Sequence, residues 1–185
     1  KFVNKIPVKK HDHVLIPAGT VHCSGADTMV LEISATPYIF TFKLWDWGRV
    51  DLDGKPRPIP LEHGAANIQW YRNTEWVHRN LVNAVAEVYT GENGTVVRTG
   101  LHEREFLDTF RFTTSSALPV HRNGSVHMLN LVDGTRAVLR SKSDAFPPLE
   151  LHYAETCIVP QAAGDYEIYS PDGSEVKVIL ACVRN

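Results

Sequence analysis

Apolar and polar positions alternate in short runs along most of this chain. Val14–Pro17, Met29–Ile33, Tyr38–Trp47, Val126–Val132, Arg136–Leu139, Glu155–Val159, Asp165–Tyr169 and Val176–Val183 are rich in β-branched, aliphatic or aromatic residues. Runs of that length and composition predict half-buried β-strands. Asp53-Gly54, Asn93-Gly94, Asn123-Gly124, Asp133-Gly134 and Asp172-Gly173 punctuate them. Asn or Asp followed by Gly tolerates positive φ cheaply, so each pair predicts a turn. Asp133-Gly134 lies between two strand-like runs and predicts a hairpin. Many short strands with frequent turns predict a sandwich or barrel.

The middle of the chain departs from this pattern. Lys55-Pro56-Arg57-Pro58-Ile59-Pro60 is unsuited to a central strand, because three prolines remove ladder donors. Leu61–Ile68 predicts a short helix. Thr74–Leu81 predicts another helical turn, with Thr74 as its N-cap. The expected organisation is therefore a β unit over residues 1–50, a Pro-rich and helical connector over 51–100, and a second β unit over 101–185. A weak internal echo relates the two β units. Leu15–His22 and Cys157–Tyr166 each read as an apolar strand, a proline, a glycine-containing turn and another strand. The second copy has no histidine after its glycine.

Composition narrows the classes of function. Of 185 residues, 43% are hydrophobic, enough for a real core, and the net charge is -2. That balance lacks the basic excess of a nucleic-acid binder. No apolar run approaches the roughly 20 residues of a membrane span. Cys23, Cys157 and Cys182 are odd in number and far apart, which fits free thiols in a reducing, cytoplasmic compartment. The triplets Asn93-Gly94-Thr95 and Asn123-Gly124-Ser125 read as turns. The chain opens on Lys1 with no start-like or targeting pattern, so the expectation is a fragment of a longer protein.

The stretch with chemistry in it is Pro17-Ala18-Gly19-Thr20-Val21-His22. Proline ends a strand, glycine turns the chain, and the next strand opens on a histidine. A histidine near the mouth of a small β-barrel is well placed to ligate a divalent metal. With Thr28-Met29-Val30-Leu31-Glu32-Ile33 and Leu44-Trp45-Asp46-Trp47-Gly48-Arg49, the stretch resembles the type I phosphomannose isomerase family of zinc-dependent cupins. The resemblance covers about residues 12–70, and more weakly 100–185. It implies an all-β cupin/jelly-roll fold, with a partial first barrel, a complete and non-catalytic C-terminal barrel, and a short helical connector between them. It implies zinc, with His22 as a ligand and Glu32, ten residues on, as an active-site carboxylate. Lys43 takes the place of a family arginine that serves the sugar phosphate, and Arg49 closes the active-site half of the barrel. Lysine keeps the charge but loses the planar fork of arginine, so an unphosphorylated sugar is the other substrate class.

The implied reaction is aldose–ketose isomerisation of mannose 6-phosphate to fructose 6-phosphate. A catalytic zinc site takes about three protein ligands, and His22 supplies one, so the expectation is a fragment without a competent metal site. The other reading is a non-enzymatic cupin-like sugar-binding or regulatory module. A homodimer completed by strand exchange is a further expectation, because open strand edges invite pairing. His11 and His13 read as exposed turn residues, and His102–Glu105 as a solvated turn. His121 and His127 read as facing each other across a hairpin. Trp45 and Trp47, separated by Asp46, read as one strand face packed against the second unit.

Overall fold

The computed structural model describes residues 3–34 and 41–184. The chain divides into two compact units. One comprises Lys1–Val8 and Ile16–Val82, the other Lys9–Leu15 and Asn83–Asn185.

The second unit is a double-sheet antiparallel jelly roll. Its strands are β1 (Ala86–Gly91), β2 (Gly94–Arg98), β3 (Leu107–Thr114), β4 (Ala117–Val120), β5 (His127–Asp133), β6 (Arg136–Ser141), β7 (Leu149–His152), β8 (Thr156–Val159), β9 (Tyr166–Tyr169) and β10 (Val176–Val183). One sheet has the order β1-β2-β3-β10-β5-β8 and the other β4-β9-β6-β7. Register puts the inward residues opposite one another: Val178 sits between Phe112 and Leu131, and Leu180 is opposite Leu129. In the smaller sheet Ile168 lies between Leu118 and Leu139. These side chains join one core with Val176, Leu151 and Tyr166. The alternation is clean along β5, where His127, Leu129 and Leu131 are buried and Met128 is exposed. This is the period-2 pattern of a sheet with one face on a core.

Two sequence expectations fail here for one reason. Asp133-Gly134 does not close a hairpin: β5 belongs to the larger sheet and β6 to the smaller. The turn is an arch that carries the chain across the core. Both flanking strands bury alternate residues in either arrangement, so the local pattern is blind to the difference. Asn123-Gly124 is likewise in the loop between β4 of the smaller sheet and β5 of the larger. His121 and His127 therefore do not meet: His121 binds Asp165 (2.8 Å) at the surface, and His127 is buried against Tyr166. Asn93-Gly94 does turn a hairpin, between β1 and β2. A Cβ at Gly94 would lie 2.1 Å from the Thr113 carbonyl oxygen, so this position requires glycine.

The first unit holds helices α1 (Leu61–Asn67) and α2 (Thr74–Asn80). The cap of α2 is Asn73, whose side chain accepts from Trp76 N at 3.0 Å, one residue before the expected Thr74. The connector expected over 51–100 thus contains both helices, and its final stretch holds β1 and β2. The runs at 14–17 and 29–33 form no strand among the described residues. A strand is held by its ladder, and beyond a single bridge at Val14 none forms on these two runs. Of the run expected at 38–47, Tyr38–Phe40 lie outside the described residues.

Lys9–Leu15 belongs to the second unit and is fastened to it by charge and hydrogen bonds. His11 Nε2 lies 2.8 Å from Asp133, which also pairs with Lys10 and with Lys177 (3.0 Å). Arg111 donates to the His11 carbonyl oxygen, and Asn83 exchanges hydrogen bonds with the His13 backbone. His11 and His13 are therefore half-buried, not exposed. His102–Glu105 does form a turn, closed by Glu105 N on the His102 carbonyl oxygen.

Candidate functional site

The Pro17–Thr20 turn is built tightly. Thr20 N donates to the Pro17 carbonyl oxygen at 3.2 Å. Gly19 has φ +83°, and a Cβ there would fall 2.6 Å from the Asn67 carbonyl oxygen. Only glycine fits so close an approach in the left-handed region. Gly164 in the echoing turn also has positive φ, +68°, but there a short 3-10 helix, Gln161–Ala163, precedes the glycine.

The segment between the helices grips this turn. Gln69 N donates to the Gly19 carbonyl oxygen at 2.9 Å. Arg72 Nη1 donates to the carbonyl oxygens of Pro17 (3.0 Å) and Ala18 (2.8 Å) and to the Thr20 hydroxyl. Its guanidinium lies over Tyr71 at 5.5 Å and Trp76 at 5.4 Å. His22 follows, exposed, with Nδ1 2.9 Å from the Thr20 carbonyl oxygen. A carbonyl can only accept, so Nδ1 carries a proton, and in the neutral ring the lone pair is then on Nε2.

A second cluster forms around Asp46. Phe42 and Leu44 face α1, where a Cβ on Gly64 would touch both. Lys43, between them in sequence, donates to Asp46 at 3.1 Å. Arg57 Nε lies 3.3 Å from the same carboxylate. The hydrogen bond from Lys43, aided by the charges of Arg57 and Arg49, holds the Asp46 carboxyl below its usual value. Asp46 is 3% exposed, while Trp45 and Trp47 on either side are 63% and 64% exposed. The expected alternation is thus reversed. Trp47 and Gly48 both have positive φ, which ends the extended run, and the two indoles contact each other at 4.6 Å. Arg49 lies over Trp47 at 5.2 Å.

Of the residues singled out from sequence, Lys43 and Arg49 are brought to one carboxylate. Glu32 is exposed. Among the described residues, no group of three or more His, Cys, Asp or Glu side chains could hold a metal ion. His22 offers a correctly prepared nitrogen, but one donor does not make a catalytic zinc site, and the described residues do not fit a complete one. Sequence reasoning missed Asp46, Arg57 and Arg72. Lysine three before and arginine three after Asp46 are the only local signal for the first of these.

The described residues of the second unit form no comparable cluster of the expected site residues. Its interior holds the apolar core, and His127 is buried there together with the smaller polar residues Thr99, Thr109, Thr114, Ser125 and Ser170. His127 Nδ1 lies 2.9 Å from the Tyr166 hydroxyl and Nε2 3.1 Å from Asn123 Oδ1. Burial, then the charge of Arg122, lowers its pKa to about 4. A surface pocket of about 260 Å³ at the β1–β2 turn is lined by Asn93, Thr113, Ser115 and Glu175 among others, none of them expected site residues.

The structure is similar to that of a mannose 6-phosphate isomerase from Bacillus subtilis, with a TM-score of 0.53 at 12% identity, over 76% of this chain and 39% of that one. The fold is the cupin jelly roll. A cupin-2 domain from Rhodospirillum rubrum matches more loosely, with a TM-score of 0.45 at 10% identity over 56% of this chain and 72% of that one. In sequence, the mannose-6-phosphate isomerase of Streptococcus mutans serotype c is 35% identical over 61 residues, 33% of this chain and 19% of that protein. No protein-family model matches the chain. The chain therefore spans about one fifth of the curated relative and two fifths of the similar structure. No helix among the described residues is long and apolar enough to cross a membrane.

Proposed function

We propose that this chain is part of an aldose–ketose isomerase that interconverts mannose 6-phosphate and fructose 6-phosphate. The identity of 35% over 61 residues with a mannose-6-phosphate isomerase carries the reading. The reaction moves a proton from C2 to C1 of the open-chain sugar through a negatively charged enediolate. In such a site Lys43 and Arg49 supply positive charge for the phosphate or the enediolate. Glu32 is a carboxylate for proton transfer or substrate positioning. His22 presents the free Nε2 lone pair that a zinc ligand needs. The described residues complete neither the metal site nor the acid–base pair, so turnover by this chain alone is not expected. A cytoplasmic setting and pairing of two copies belong to the same proposal.

The decisive test starts with binding. Mannose 6-phosphate added to the isotope-labelled chain should perturb amide signals around Lys43 and Arg49, and K43A and R49A should abolish the response. Shifts confined to residues 83–184, or no shifts at all, would remove the reading. Tight stoichiometric zinc, or isomerase turnover by these 185 residues alone, would overturn the view that the site is incomplete. A second reading, a non-enzymatic sugar-binding or regulatory module, is favoured by the single prepared histidine and by the filled second jelly roll. It predicts binding of free mannose or its phosphate without isomerisation in any longer polypeptide that carries this chain.

A further inference from the structure

We propose that Arg72 is a positioning residue: by tying down the Pro17–Thr20 turn it locks the His22 imidazole in its Nδ1–H tautomer and leaves Nε2 open. The functional meaning of this assignment rests on the reading above, in which His22 is a site residue.

All four backbone carbonyls of the turn accept hydrogen bonds. Pro17 accepts from Thr20 N and Arg72, Ala18 from Arg72, Gly19 from Gln69 N, and Thr20 from His22 Nδ1. The first three bonds come in whole or in part from the 69–72 segment, and only the last faces the imidazole. Arg72 also holds the Thr20 side chain, so both the residue that presents the acceptor and the peptides before it are fixed by one guanidinium. That guanidinium itself lies against both the Tyr71 and Trp76 rings, which meet edge-on at 5.5 Å. Trp76 is placed by the Asn73 cap of α2. A chain of contacts therefore runs from the helix cap through Arg72 to the tautomer of an exposed histidine. Without it, an exposed neutral imidazole reverts to the Nε2–H form that free histidine favours, and the nitrogen aimed outward becomes a donor instead of a lone pair.

Histidine-selective nitrogen-15 NMR on the full chain reads the tautomer directly, with no metal or substrate present. The measurement belongs at pH about 8.5, well above the usual imidazole pKa of about 6.5. His22 is assigned with H22Q. The unaltered chain should show Nδ1 in the protonated range and Nε2 in the unprotonated range. R72A should move the two nitrogens toward the ordinary mixture dominated by Nε2–H. R72K, which keeps a charged donor for the same carbonyls, should recover most of the original spectrum. R79A, on the exposed face of α2, should change nothing. An Nε2–H ring in the unaltered chain, or a His22 spectrum that R72A leaves unmoved, overturns the proposal. If R72A loses the dispersed amide signals of residues 16–82, T20A decides: it removes one acceptor and spares the aromatic stack. A partial shift in the same direction supports the proposal, and an unmoved ring overturns it. A locked tautomer without sugar-phosphate binding would fell the isomerase reading alone. Sugar-phosphate binding with an ordinary tautomer would fell only the role of Arg72.

Discussion

Leu129 and Leu131 of β5 are fully buried, whereas Met29 and Leu31, in a run of similar apolar character, are 79% and 49% exposed. The difference separates the two units. In the second, every strand has a ladder partner and the apolar side chains meet across the core. In the first, the described run at 29–33 forms no strand, and the contacts are those of α1, α2, the 69–72 segment and the Asp46 cluster. Apolar alternation makes a strand possible, and a neighbour at hydrogen-bonding distance makes it stable.

The largest expected effects fall in the jelly roll. L129A should lower the stability of the second unit by about 2–5 kcal/mol, the range for a fully buried leucine that leaves a cavity. L31A should stay within about 0.5 kcal/mol, as exposed positions do. Urea unfolding followed by far-ultraviolet circular dichroism tests both. The four tryptophans all lie in the first unit, so their fluorescence reports on that unit. An equal loss from L129A and L31A would break the contrast.

Next comes a pH effect centred on His127. The residue is 2% exposed, and its folded pKa is about 4, against about 6.5 when unfolded. Between these values the unfolded chain binds the extra proton, so stability rises with pH there. Its contribution is intact above pH about 6.5, falls as pH drops toward about 4 and then levels off. At 1.36 kcal/mol per pKa unit, the full loss is about 3 kcal/mol. His13, lowered by burial and then by the charge of Arg111, adds in the same direction. Urea midpoints at pH 7.5, 5.5 and 4.5 should show the slope, and H127N should flatten it.

D133N comes third. It removes the charge that Lys10, His11 and Lys177 share and that holds the Asp133 carboxyl well below the usual range, chiefly through Lys10. A loss of about 1–2 kcal/mol is expected, typical of charged hydrogen bonds, with faster hydrogen exchange over residues 9–15. Unchanged exchange there would show that the segment is fastened by other contacts. The smallest effect is expected from R79A, whose pair with Glu75 is exposed on α2. Such pairs contribute about 0.3–0.5 kcal/mol, so the thermal midpoint should barely move.

Much of the second unit was legible because its signals are local. β10 coincides with the predicted run at Val176–Val183, and β5, β6, β8 and β9 fall within a residue or two of expectation. β3 was missed: Leu107–Thr114 carries Asp108, Thr109, Arg111 and two further threonines, and only its register with β2 and β10 makes it central. β4 and β7 were missed as well, although they are as long as β8 and β9, which the runs did mark. In the first unit the turn at Gly19 was legible, because proline and glycine act through their own backbones. Its clamp was not, since Arg72 is more than fifty positions away.

By itself the sequence determined the periodicity of the strands, the turns that need glycine, both helices and the resemblance carried by Pro17–His22. Each follows from covalent structure acting within a few residues. The tertiary structure decided what a local pattern leaves open. Asp133-Gly134 became an arch between sheets, Asp46 was buried between two exposed tryptophans, and Arg72 closed on a turn far from it in sequence. The clamp shows the reason most plainly: its partner is more than fifty positions away, and only folding brings such hydrogen bonds, charges and apolar surface within reach.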